Sequence, residues 1–569
     1  MTTKQRRWKT GAVCLVAAAV VLSGCHSGKA VTAESQTESS AEKNSENNGT
    51  GTSGNPTDAG AGKIDSFMIG ETEVKLEDDD YYSDWSGDDV TYIKLADAAV
   101  SIEGNGAEAD GNVIRITDGG TYVLSGRWSD GSVLVDAKDK GTVRLVLNGV
   151  EIHSEESAPI YVMKADKTVI SLEDGTVNTL SDTEGLVYTD EEKEEPNATL
   201  FSKKDLTING TGTLVVNAAF NHGISGKDNL ILMSGKYQVT SARSAFKGKD
   251  LLAVLDGSYE ITAGNDGIHS DGNLGIFGGT IEILESVEGL EGGAIQIAAG
   301  DISIKSSDDG INASSDEEDV TPTLYISGGT VVVDAEGDGI DSNGNFYMTD
   351  GDVTVYGPVS DGDGALDYDG VFEISGGQLA AFGMSGMAQG VSDGSTQNAL
   401  MMTYPEEQTA GTEVVLKNGD GEELYRWSGA KAFNSLVIAV PELAAGESYV
   451  LETGGSQMEF VLESAMTYLN ENGVTEAASM RPMDGKGGMG GGPDGSGDER
   501  PEGLPEGEKG GNPEELPEGV EGRRPEGLPD GENGERPERR TDGEKGGARE
   551  GRTDGENGEA PEGTTGGTP

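Results

Sequence analysis

The chain runs to 569 residues, with 89 glycines, 34% hydrophobic and 5% aromatic residues, and a formal net charge of −62. So strong a negative charge excludes nucleic acid as a partner, because phosphates would be repelled. So few aromatic residues exclude a conventional large globular core, while the glycines suit a fold built from many short turns.

The N-terminus carries Lys4, Arg6, Arg7 and Lys9, then an apolar run over residues 11–22, then Leu22-Ser23-Gly24-Cys25. This reads as an export signal over residues 1–25, too short for a comfortable membrane span. Its ending resembles a bacterial lipobox, which implies lipidation of Cys25, a lipid-anchored chain and an extracellular location; an ordinary signal or a short anchor is the alternative. No cysteine follows Cys25, so disulfides and thiolate metal sites are excluded from the exported chain. Residues 26–62 are rich in Ser, Thr, Glu, Asn and Gly and read as a disordered tether.

Residues 63–390 are expected to form a parallel β-helix. From Tyr92 onward short runs alternate apolar and polar side chains. A small residue then recurs at Gly223, Ala245, Gly267, Gly289, Gly310, Gly339, Gly364 and Gly386, with spacings of 22, 22, 22, 21, 29, 25 and 22. One period, residues 267–288, holds three β-like runs parted by Gly/Asn/Asp/Ser turns. Three strands per turn and no helical period predict a three-faced parallel solenoid, its coils stacked about 4.8 Å apart. Gly278-Gly279, Gly328-Gly329 and Gly376-Gly377 recur at one predicted corner, where a tight turn needs positive φ. Charged insertions at residues 183–199 and 315–323 read as loops on one face.

Stacked coils convert repeated letters into columns. Before the marker stand Asp266, Glu288, Asp309, Asp338 and Asp363; after the next apolar residue stand His269, Glu291, Asn312, Asp341 and Asp367, the last displaced by one. Both columns are expected to point outward. Carboxylates one rung apart repel by roughly 1 kcal/mol in water and by several at a protein surface. Bound Ca²⁺ relieves that repulsion, and hard oxygen donors suit it; the alternative is that Asp-Gly is simply good turn chemistry. A second column is basic: Lys204, Lys227 and Lys249 precede Asp, with Arg243 and Lys247 close by. These side chains could meet an acidic polysaccharide, or each could pair with its neighbouring Asp, which contributes little.

Residues 391–465 lose the period and read as a small β cap domain. Residues 466–569 become Gly/Pro/Glu-rich with recurring Pro-Glu-Gly and read as a disordered tail.

Residues 132–136, Val143-Arg-Leu-Val-Leu-Asn-Gly-Val-Glu-Ile152, Ala158-Pro-Ile-Tyr161 and the Asp-Gly-Ile repeats resemble the bacterial carbohydrate-binding domain family first defined in cellulolytic clostridia. The similarity covers residues 94–390. It implies a right-handed parallel β-helix similar to family-nine pectate lyases, an association with calcium, and binding of acidic plant polysaccharide such as polygalacturonate without an established lyase activity. The leading expectation is a monomeric, non-catalytic, surface-tethered module for a pectin-like polysaccharide, with cellulose a further candidate ligand. A calcium-dependent lyase with Lys227, Lys247 or Lys249 as base, and a structural spacer, are the alternatives.

Overall fold

The computed structural model describes residues 63–476, apart from residues 139, 140, 191 and 318. Cys25, the export signal, the tether and the tail beyond residue 476 lie outside the described residues. The described chain is nearly all β, a solenoid of about 11 turns, with the 3-10 turn Asp78–Tyr81.

Parallel pairing aligns equivalent residues of successive coils in three sheets. In the first sheet Phe246, Ile268, Leu290, Ile311, Ile340 and Leu366 stack in register. In the second, Leu252, Leu274, Ile295, Leu324, Phe346 and Phe372 do the same. The third aligns Tyr237, Tyr259, Ile281, Ile302, Val331 and Val353. All three columns are buried and merge into one core. Like therefore packs on like: Tyr237 stacks on Tyr259 at 4.7 Å and Phe346 on Phe372 at 4.0 Å. Alternation along each short strand thus supplies the core, because only every second side chain points inward.

The predicted glycine corner is present, and the second glycine of each pair takes the positive φ, as at Gly279 with φ +89°. Gly210, with φ +101°, occupies a similar corner, where a Cβ would lie 2.3 Å from the Leu172 carbonyl oxygen. Alanine at Gly210 is expected to cost about 1–3 kcal/mol. A urea midpoint equal to that of the parent would show that the corner relaxes freely.

Three regions depart from the sequence expectation. Residues 63–88 add no coil. Strands Ser66–Ile69 and Thr72–Lys75 form an antiparallel hairpin that lies, with the 3-10 turn, across the outside of the second sheet as a strap. Phe67 and Ile69 bury against Ile231, Leu251, Ala253 and Phe277. Asp80 is fully buried and pairs with Lys167 at 2.6 Å, while Asp79 pairs with Arg144 at 2.6 Å.

The last marker, Gly386, starts no further coil, since residues 384–398 contain no strand. Beyond it, Phe433–Ala439 pairs antiparallel with both Gln378–Gly383 and Ala399–Gln408, closing the third sheet. A four-stranded antiparallel sheet of Glu413–Asn418, Glu423–Ser428, Ser448–Thr453 and Ser456–Val461 covers a second core around Phe382, Val414, Leu416 and Phe433.

The chain also stays in strand past residue 465. Met466–Asn470 pairs parallel with Ala399–Gln408 and then turns into Gly473–Thr475.

Candidate functional site

The first sheet carries both acidic columns. Lys247, His269, Glu291, Asn312, Asp341 and Asp367 stand in strict register on successive rungs, so Asp367 is not displaced within its strand. The other column runs through Ser244, Asp266, Glu288, Asp309 and Asp338, tied by amide-to-carbonyl bonds such as Gly267 N to Glu288 O and Gly289 N to Asp309 O. At its last rung Gly339 N donates to Gly364 O, so Gly364 takes the place expected for Asp363. The extra residue of this coil pushes Asp363 one position outside the column. There it accepts a 3.4 Å hydrogen bond from the Ser360 hydroxyl.

The columns are less exposed than expected. Asp266 is 3% exposed, and Glu288, Asp309, Asp338 and Asp341 are half-buried. Their electrostatics split the site in two.

Upstream, the carboxylates are neutralised internally. Asp266 Oδ2 accepts from the Ser244 hydroxyl at 3.0 Å, from Asn265 Nδ2 at 3.0 Å, and from His269 Nδ1 at 2.8 Å. Glu291 meets the same imidazole nitrogen, and Asp271 accepts from His269 Nε2 at 2.9 Å and from Lys247 Nζ at 2.7 Å. Burial alone would lower the His269 pKa, but these three carboxylates push it up to about 11. The donor atoms of Asp266, His269 and Glu291 lie within 4.8 Å of one another, yet an imidazolium has no lone pair to offer a metal. In this arrangement Asp266 and Glu291 are counter-ions to His269.

Downstream, no Lys, Arg or His among the described residues pairs with Glu288, Asp309, Asp338, Asp341 or Asp367. Burial first, and neighbouring carboxylates second, push Glu288 up to about 8 and Asp341 up to about 7. For Asp309 and Asp338, burial and neighbouring carboxylates, partly offset by backbone N–H donors, give about 6. Burial raises Asp367 as well. The donors that do reach these carboxylates are neutral: Asn312 Nδ2 to Glu288 at 3.2 Å, Asp338 N to Asp309 at 2.8 Å, and Asn343 Nδ2 to Asp341 at 2.9 Å. Gln389 Nε2 donates to Asp367.

The basic residues are dispersed. Of the five, Lys247 alone stands in the column just described. Lys227 and Lys249 sit at the corner after the first sheet, in register with Lys203 rather than Lys204. Lys204 pairs with Asp228 at 3.5 Å and Lys249 with Asp250 at 3.6 Å. Lys227 Nζ lies 6.0 Å from the Phe201 ring centre, and Arg243 is exposed at the opposite corner.

Sequence reasoning missed Asp271 and the role of His269. The signal was His269 followed two residues later by an acid, the only histidine in a column of acids. It also missed a pocket of about 360 Å³ past the end of the columns, lined by Tyr368, Gln389, Met401, Thr403, Tyr468 and Asn470 among others.

A family model for carbohydrate-binding domain-containing proteins matches residues 110–291 and 265–400, together just over half of the chain. A carbohydrate-binding domain-containing protein of Acetivibrio thermocellus is 43% identical over 126 residues, 22% of this chain and 44% of that protein. The chain therefore spans less than half the length of that relative. Among solved structures, the gadolinium derivative of the polysaccharide lyase-like protein from C. thermocellum is 29% identical. The match covers 52% of this chain and 98% of that one, with a TM-score of 0.33.

Proposed function

Because this chain belongs to the family of carbohydrate-binding domain-containing proteins, we propose that it binds an acidic, polygalacturonate-like polysaccharide without cleaving it, through calcium held on the downstream half of the acidic columns. One observation carries this reading: half-buried Asp309, Asp338 and Asp367 crowd half-buried Asp341, with Asn312 on the adjoining rung and no cationic partner among the described residues. Carboxylates taken partly out of water and set beside one another are costly unless a counter-charge joins them. An all-oxygen donor set of acids and an amide fits calcium. Bound there, calcium would supply coordination positions for sugar carboxylates that so acidic a surface otherwise repels.

The chain's own residues divide the remaining work. Lys247 and the exposed Arg243 offer direct charge contacts at the upstream end. A lyase would need a free base, whereas Lys247 and Lys249 are each engaged by an aspartate, at 2.7 and 3.6 Å, and Lys227 lies over the Phe201 ring. Lipidation at Cys25 would fix the solenoid at the outer cell surface.

The test is retardation of the exported chain in a gel containing polygalacturonate. With calcium, mobility should fall, and chelator or the Asp309→Asn/Asp341→Asn variant should weaken binding by about tenfold or more. An unsaturated, absorbing product would mean a lyase. Identical mobility with and without calcium and polymer would leave only the spacer.

A further inference from the structure

The columns have one open end and one blocked end, and a pocket opens at the block. On the first sheet the strand Leu366–Tyr368 pairs with Ile340–Ser342 and with no further rung among the described residues. The chain instead folds across the end of the stack. The Tyr368 hydroxyl donates to the Gly390 carbonyl at 2.8 Å, and Gln389 caps Asp367, the last acid of its column. Strands Ala399–Gln408 and Met466–Asn470 then form the wall behind, with Met401 opposite Tyr468. A polysaccharide lying along the acidic columns could leave freely past Lys247 but would run into this wall beyond Asp367.

The pocket at that point measures about 360 Å³, within the roughly 300–1,000 Å³ typical of small-ligand sites. Two half-buried tyrosines line it, Tyr368 and Tyr468. Gln389, Thr403 and Asn470 add amide and hydroxyl groups, and Glu476 adds a carboxylate at the rim. Aromatic faces beside amides and a hydroxyl match a sugar ring, whose C–H faces stack and whose hydroxyls both donate and accept. Much of the wall, including Tyr468 and Asn470, lies beyond residue 400, where the family match ends.

We propose that the pocket holds the terminal sugar of the polysaccharide, so that the protein recognises chain ends rather than chain interiors. This inference rests on the binding reading above and specifies where the bound chain must stop.

Stoichiometry tests it directly. The exported chain, in calcium, is titrated calorimetrically with a short oligogalacturonate and with long polygalacturonate, each at known chain concentration. End recognition predicts the same number of protein molecules per chain for both ligands. A number rising in proportion to chain length would overturn the inference while leaving polysaccharide binding intact; no binding to either ligand would sink both readings. Tyr468→Ala should weaken the short ligand by about tenfold, and Tyr468→Phe should retain most of the affinity. If Tyr468→Ala melts like the parent and binds equally well, the pocket is not the end site. Gln389→Ala offers the same comparison on a different wall should the tyrosine variant fail to fold.

Discussion

Replacing Asp80 with alanine is expected to destabilise the protein by about 3–5 kcal/mol. Asp80 has no solvent exposure, and the Lys167 side chain that it meets at 2.6 Å is only 11% exposed. Thr207 also donates to the carboxylate, and Asn209 Nδ2 donates to the Asp80 carbonyl at 3.0 Å. Removing the carboxylate leaves a buried ammonium with Glu77, at 3.5 Å, as its remaining ionic partner. The strap should loosen first, so trypsin should cut at exposed Lys75 well before the coils open. Adding Lys167→Met should restore much of the loss, because a paired deletion leaves no stranded charge. A single variant with parental urea midpoint and cleavage rate would mean that the ion pair is dispensable.

The second large effect concerns pH. In chelator, the melting temperature should fall as pH rises from about 6.5 to about 8. The sign follows from the direction of each shift. Glu288 and Asp341 titrate near 8 and 7 in the folded chain but near 4 when unfolded. The folded state therefore holds more protons in this window, and that stability is lost as they leave. His269, raised to about 11, acts in the same direction above its unfolded value near 6.5. His222 acts oppositely, since burial and nearby cations lower it to about 3, but its contribution is complete above about 6.5. Calcium should raise the melting temperature at pH 8 far more than at pH 5, by the equivalent of about 2.7 kcal/mol at a hundredfold excess over its dissociation constant. Asp309→Asn/Asp341→Asn should abolish the calcium dependence and remove only the Asp341 share of the pH dependence, leaving the shares of Glu288 and His269. Chelated protein that grows more stable between these pH values would contradict the arrangement of charges.

What could be read from letters alone was the periodic part. Eight small residues and the alternation around them specify coils, because the side-chain period of a strand and the repeat of a coil are both local properties. The failures share a cause: each depends on contacts between residues distant in sequence. A 25-residue interval reveals an inserted residue but not its position, so the letters point to Asp363 for a place that Gly364 occupies. The short hairpin at residues 66–75 resembles any other pair of strands. Partners far along the chain, Lys167, Asn209 and Phe277 among them, make it a strap. Met466 and Leu469 precede a Gly-rich tail and look like part of it, yet both are buried where the coils end. His269 aligns with the acids in the sequence, but its role as their counter-ion rests on charge pairing across rungs, which requires side-chain directions.

The strap also changes how the molecule would bear tension. A stack whose coils touch only their neighbours is prone to unravel one coil at a time from a pulled terminus. Here residues 70–80 span eight successive rungs of the second sheet, from Arg144 beside Asp79 to Tyr325 beside Gly70, roughly 34 Å. Force applied at residue 63 enters midway along the rod and is resisted in shear by the hairpin, its buried phenylalanine and two ion pairs together. The first coil is shielded from that load, so a molecule held by its N-terminal end in flowing liquid keeps its acidic columns aligned until the clasp itself gives way.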